Sequence, residues 1–180
     1  MKAAAVIRTE RMELIPATPA ALRAELIGHD DLAKEVGARV PSTWPPDLYD
    51  ESAIRWTLEW ISAHPDQAGW SFYYFTLPEA ESPGGRELVG LGGFKGAPGE
   101  DGTVEIGYSV LAEHRRRGLA SEAVRAFIAH AFADERVERV IAETLPNLAP
   151  SIGVLVKCGF EYAGNGSEPG VIRYTLERPP

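Results

Sequence analysis

The chain has 180 residues, enough for one domain with a substantial core and short for two. Apolar residues make up 44% and charged residues 24% of it, which excludes a disordered polyelectrolyte. A net charge of -8 argues against nucleic-acid or anionic-membrane binding, because both need lysine and arginine clustered over a broad face.

A single cysteine, Cys158, leaves no intramolecular disulfide and fits a reducing compartment. The opening MKAAAVIRTERMEL has too brief an apolar run for a signal-peptide core or a membrane span. The expected location is therefore the cytoplasm.

Residues 3–16 alternate loosely and predict a first strand ending near Pro16. Thr18 ahead of PAALRAELI reads as the N-cap of a short helix, and Asp30 or Asp31 as the cap of a second one running to about Gly37. Three prolines, Pro41, Pro45 and Pro46, make 38–50 a loop, and it carries Trp44 and Tyr49. Ile54, Leu58 and Ile61 recur at helical spacing over 51–63, so Trp56 and Trp60 are expected in the core rather than in a binding pocket.

Residues 70–77 and 86–94 are aromatic and β-branched runs around the turn-rich PEAESPGG, which predicts an antiparallel hairpin. The glycines of GLGGFKG within it read as a strand thinned where something packs closely. TVEIGYSVL at 103–111 adds a third strand, with Val104, Ile106, Tyr108 and Val110 on one face and Glu105 on the other. A helix at about 118–134, a strand at 139–143, a helix at about 148–158 and strands near 159–163 and 170–177 complete a mixed sheet with helices on its faces.

Between the third strand and the next helix stands EHRRRGLASEAVRAF. The first turn of a helix offers unpaired N–H groups and the positive end of its dipole, so Arg115 to Ala120 form a candidate anion site. Gly118 removes a Cβ from the approach. A plain solvated arginine run is the equal alternative on physical grounds. There is no P-loop, dinucleotide fingerprint, nucleophile elbow or zinc spacing, and no metal is expected.

Arg115-Arg116-Arg117-Gly118-Leu119-Ala120, with VEIGYSV before it, SEAV after it and AETLPNLAPSIGVLVKCGF at 142–160, resembles the signature of the GNAT superfamily of acyl-CoA-dependent N-acetyltransferases. The likeness covers about residues 8–177 and is nearest to the ribosomal-protein-alanine N-acetyltransferase branch. It implies an α/β (α+β) GNAT fold, with a mostly antiparallel sheet of about six to seven strands, about four helices, and one GNAT domain over residues 1–180. It also implies acetyl-CoA as cofactor and acyl donor, held where the strands at 103–111 and 139–143 splay apart. Amides of Arg115, Arg116, Arg117, Gly118, Leu119 and Ala120 would cradle the pyrophosphate, and an amide near Val110 or Leu111 would polarise the thioester carbonyl.

The acceptor implied is a small-molecule or peptide primary amine, which must lose a proton before attack. At pH 7 that costs about 4.6 kcal/mol for a lysine but about 1 kcal/mol for an α-amine. Glu105 is the candidate base by resemblance, with a solvated glutamate as the equal alternative. The tyrosine that many members use as a general acid falls on Leu155, which keeps open a non-catalytic acyl-CoA-binding sensor. Ser151, on the same helix face, is the candidate group at the sulfur, against a hydroxyl bonding back to Asn147 or Thr144. Asn147 stands one place early for the family's cofactor-contacting asparagine. Acceptor recognition is expected from the early helices, the 38–50 loop and the 164–170 turn, and the assembly is expected to be a monomer or homodimer.

Overall fold

Segments that need only local contacts form where expected. The computed structural model describes residues 4–81 and 84–180, so Ala3 of the first expected strand and Ser82 and Pro83 of the hairpin turn lie outside the described residues. Thr18 accepts a hydrogen bond from Ala21 N at 3.1 Å and caps α1 (Pro19–Ile27). Helix α2 (His29–Val36) begins earlier than expected, with Gly28 at its cap. Asp30 and Asp31 sit in its first turn, where carboxylates favour the dipole. Asp50 caps α3 (Glu51–Ala63) through Ala53 N at 3.0 Å.

The first expected strand is a hairpin instead. Strands β1 (Ile7–Arg8) and β2 (Glu13–Pro16) pair antiparallel around a turn closed by Thr9 N donating to Met12 O at 2.9 Å. The polar run Thr9-Glu10-Arg11 interrupts the alternation and makes the turn.

Strands β3 (Phe72–Leu77), β4 (Glu87–Phe94) and β5 (Thr103–Val110) form the expected meander, followed by α4 (Leu119–Phe132), β6 (Arg139–Thr144), α5 (Ala149–Lys157), β7 (Glu161–Asn165) and β8 (Ile172–Glu177). Among the described residues the sheet has eight strands in the order β1-β2-β3-β4-β5-β6-β8-β7. Every neighbouring pair is antiparallel except β5 and β6. The α+β class is as expected; among the described residues there is one strand more than the upper expectation and there are five α-helices against about four.

One face packs on α4 and α5. The buried Phe127 of α4 meets the rings of Tyr73, Phe75 and Phe94 at centroid distances of 5.8, 5.9 and 5.5 Å. The glycines of β4 are explained here. A Cβ on Gly90 or Gly92 would lie 2.6 Å from a β5 carbonyl, with the Phe75 ring 3.1 or 2.9 Å away. The other face carries α1 to α3 over Leu22, Leu32, Tyr74, Leu88 and Leu91. Trp56, expected in the core, is 53% exposed because Ile54 and Thr57 set the buried face of α3, while Trp60 stacks on His64 at 4.7 Å. Among the described residues no helix is long and apolar enough to cross a membrane.

Candidate active site

The parallel pair formed by β5 and β6 comes apart. Strands β5 and β6 are paired from Thr103↔Arg139 to Ile106↔Ala142 and no further. Beyond that point β5 stays bonded to β4 as far as Gly90↔Val110, and β6 to β8 as far as Thr144↔Ile172. Each strand keeps its outer neighbour and loses its inner one. The result is a V-shaped cleft of about 1000 Å³, running from the start of α4 to Lys95 and from the 38–50 loop to Ser167.

The alternation of an antiparallel ladder decides which β5 amides face the cleft. Leu111 N donates to Val89 O at 2.9 Å and Lys95 N to Glu105 O at 2.9 Å, so odd-numbered residues bond to β4. The amides of Tyr108 and Val110 therefore point to the side that β6 has left. This corrects the expectation for Leu111, which is buried among the residues under α1 to α3 with its amide already engaged.

At the C-terminal end of β5 the chain makes a short turn over Ala112–His114 and enters α4 through Arg116 (φ 60) and Gly118 (φ 77), both in the left-handed region. That backbone costs a non-glycine residue about 1–2 kcal/mol, a strain of the kind found where backbone is shaped for a ligand. Glu122 N is the first to bond back, to Gly118 O at 3.0 Å. The amides of Leu119, Ala120 and Ser121 thus open α4 with no carbonyl behind them.

The three arginines part company. Arg116 lines the cleft together with Gly118, Leu119 and Ala120. Arg115 also lines it, but its guanidinium is spent on structure, donating to Val110 O at 3.1 Å and Asp47 Oδ2 at 2.8 Å. Arg117 lies outside the lining and donates to His114 Nδ1 at 3.0 Å.

A brace behind this loop was invisible in the sequence. Glu122 accepts from Arg11 N at 2.7 Å, Arg11 Nε at 2.8 Å and Thr9 Oγ1 at 2.5 Å, and Arg11 Nη1 donates to Arg117 O at 2.8 Å. Burial works against the Glu122 carboxylate, yet these bonds hold it below the usual carboxylate range. The β1–β2 turn thereby pins the anion loop from behind.

Ser151, in the first turn of α5, lines the cleft. Tyr108 reaches it across the gap, donating to Ser151 O at 3.0 Å with Ser151 Oγ at 3.4 Å, and burial pushes its phenol up to about 12. The alternation that assigned Tyr108 to the core face was correct for its ring and silent about its hydroxyl. Leu155 is 1% exposed and belongs to the core. Asn147 is exposed and outside the lining, to which the 145–148 turn presents Leu145 and Leu148. Cys158 packs against Ser121 O at 3.6 Å, and burial raises its thiol.

Glu105 is outside the lining, but its partner is inside it. The Glu105 carboxylate is ion-paired with Lys95, which lines the cleft at the end away from the anion loop. Farther round the mouth, burial opposes the Glu143 carboxylate, while bonds from Ser167 and Arg173 hold it low. Trp44 and Tyr49 form no acceptor pocket. They are buried and donate, with Tyr74, to Glu25 at 2.7, 3.4 and 2.7 Å, which fastens the 38–50 loop. The loop offers Asp47 and the 85% exposed Leu48 to the cleft instead.

The residues present fit a long anionic thioester. A helix start with Arg116 suits the phosphates, two free amides suit a pantetheine chain, and an added Cβ would meet nothing within 4 Å at Gly107 or Gly153 on the cleft walls.

The family model for the acetyltransferase (GNAT) domain matches residues 11–161. YjdG of Bacillus subtilis, described as an uncharacterised N-acetyltransferase, is 31% identical over 127 residues, covering 71% of this chain and 72% of its own. Among solved structures, a putative GNAT-family acetyltransferase from Bordetella pertussis superposes with a TM-score of 0.67 at 24% identity, over 97% of this chain and 99% of that one. RimL, a ribosomal L7/L12 alpha-N-protein acetyltransferase in complex with coenzyme A, gives 0.67 at 17% identity over 96% and 98%. The splayed parallel pair, the loop that opens α4 and the match over most of the chain lead to one conclusion: this protein is an acetyltransferase of the GNAT family.

Proposed function

We propose that the protein transfers an acetyl group from acetyl-CoA to a primary amine by direct attack within a ternary complex, without a covalent acetyl-enzyme. The observation that carries this reading is the cleft itself, in which an anion-binding helix start and the inward amides of Val110 and Tyr108 lie along one wall. Amides of the 116–121 segment and the Arg116 side chain bind the pyrophosphate. A chain leaving that point and running back along β5 meets Val110 first and Tyr108 next, at about 3.3 Å per residue. The thioester then lies toward Gly107.

The amide of Tyr108 or Val110 donates to the thioester oxygen and stabilises charge that develops there during attack. Ser151 Oγ and the Tyr108 phenol stand on the α5 side, where the sulfur leaves. Turned from Ser151 O, the phenol, with its proton held to about 12, acts as a hydrogen-bond donor to a thiolate rather than as a proton source, since a thiol releases its own proton near 8.5. A thiol that can leave as the thiolate needs no general acid, so Leu155 at the tyrosine position is compatible with catalysis.

Glu105 takes a proton from the incoming amine, directly or through water, once Lys95 has moved aside. The acceptor enters from the mouth formed by Asp47, Leu48, Lys95 and Ser167. An α-amine fits this site best, because it needs the least help to become neutral. The test is release of free thiol from acetyl-CoA over a panel of peptide N-termini and small amines. Thiol release that depends on one of them supports the reading, and Glu105→Gln should then lower turnover roughly a hundredfold with little change in acetyl-CoA affinity. Binding of acetyl-CoA with no acceptor in the panel acetylated would count against catalysis.

A further inference from the structure

The chain carries its own amine at the mouth of the cleft. Lys95 follows the last residue of β4 and is tied twice to one residue of β5: its backbone N donates to Glu105 O at 2.9 Å, and its ammonium is ion-paired with the Glu105 carboxylate. Its side chain lines the cleft at the end away from the anion loop, where the proposed binding mode puts the thioester, and Glu105 outside the lining is its ion-pair partner. An acceptor amine needs these same two things, access to the thioester carbon and a base in contact with its nitrogen.

We propose that Lys95 is a site of self-acetylation, modified by the acetyl-CoA bound in its own cleft when no external acceptor is present. The inference rests on the acyl-CoA reading above. The Lys95 ammonium gives one proton to the Glu105 carboxylate, and the neutral Nζ forms a bond to the thioester carbonyl carbon. The C–S bond breaks, the sulfur departs with the bonding electron pair, and the second amine proton passes to it to give the free thiol. Glu105 returns its proton to solvent. The product is an uncharged amide in place of the ion pair, so the modification removes the cation that holds Glu105 and leaves an acetyl group standing in the acceptor entrance.

The sequence provides its own controls. There are four lysines, Lys2, Lys34, Lys95 and Lys157, and Lys157 also lines the cleft but sits on the last turn of α5, away from Glu105. The experiment incubates the full chain with acetyl-CoA and no amine, follows each lysine by peptide-resolved mass spectrometry, and measures acetyl-CoA binding on the same sample by calorimetry. The expected result is an acetyl group on Lys95 well ahead of the other three, at a first-order rate independent of protein concentration. Glu105→Gln slows it roughly a hundredfold, the usual contribution of a general base, and in Lys95→Arg the label is gone while the cation beside Glu105 is kept. Binding of acetyl-CoA with Lys95 unlabelled, or labelled no faster than Lys34, overturns the proposal alone. Absence of binding overturns it together with the reading of the cleft.

Discussion

The hydroxyl of Tyr108 donates to the carbonyl of Ser151 at 3.0 Å and lies 3.4 Å from its Oγ, joining β5 to α5 across the gap that β6 leaves open. The bond serves position and chemistry together. It fixes the first turn of α5 against β5, and in the proposed reaction it sets two hydroxyls beside the path of the leaving sulfur.

Removing that hydroxyl should cost rate rather than fold. Tyr108→Phe keeps the ring and loses one hydrogen bond to a charged group, worth about 1.5–3 kcal/mol, so turnover should fall roughly tenfold to a hundredfold. Because burial holds the phenol protonated to about 12, the pH–rate profile below pH 10 should drop without changing shape. A shift of its alkaline limb would show that Tyr108 does transfer a proton.

The Arg11–Glu122 brace predicts a link between the β1–β2 turn and donor affinity, although neither residue lines the cleft. Arg11→Ala frees Arg117 O and leaves the Glu122 carboxylate half-satisfied, which should cost about 1–3 kcal/mol of stability. Acetyl-CoA should bind more weakly in calorimetry. Glu122 is held below its ordinary value, so the stability it contributes is complete above the unfolded carboxylate range near pH 4.3 and is lost as pH falls through its folded value. Acid unfolding of Arg11→Ala should therefore show a weaker dependence on pH below about 4.

Glu25 behaves in the opposite sense. Burial raises it, with bonds from Tyr74, Trp44 and Tyr49 pulling it back. A carboxylate raised in the folded state contributes more stability below its unfolded value and loses it as pH rises through the folded one. Glu25→Gln should flatten stability against pH above the unfolded carboxylate range near pH 4.3, as read from denaturant midpoints. The 38–50 loop should stay in place, because the amide can still bond Trp44 and the tyrosines.

Gly153 sets stability against function. A glycine inside a helix costs about 0.8–1.0 kcal/mol relative to alanine, and a Cβ there meets nothing within 4 Å. Gly153→Ala should raise the melting temperature while narrowing the groove, so that thermal stability and acetyl-CoA affinity move in opposite directions. A parallel rise in both would mean that the donor does not run past α5.

What could be read beforehand was what neighbouring residues decide. Thr18 and Gly118 mark helix starts through contacts within a few residues, and the Arg115–Ala120 loop is recognisable because its strand and its helix lie on either side of it. Features that depend on distant partners could not be read. Arg11 and Glu122 meet across 111 positions, and nothing in either segment announces the other. The amide of Leu111 could not be told from that of Val110 until β4 was known to lie on one side of β5. The same holds for β8, which inserts between β6 and β7, and for Trp56, whose exposure depends on which stripe of α3 meets the sheet.

The proposed reaction requires acyl-CoA to occupy the gap between β5 and β6. The most direct measurement is a calorimetric titration of acetyl-CoA into the native chain and into Gly153→Leu, with circular dichroism confirming that both are folded. Binding to the native chain, weakened about tenfold or more in the variant by the loss of at least about 1.4 kcal/mol, is the predicted result. Equal affinity in the two folded proteins, or no binding to either, would contradict the account.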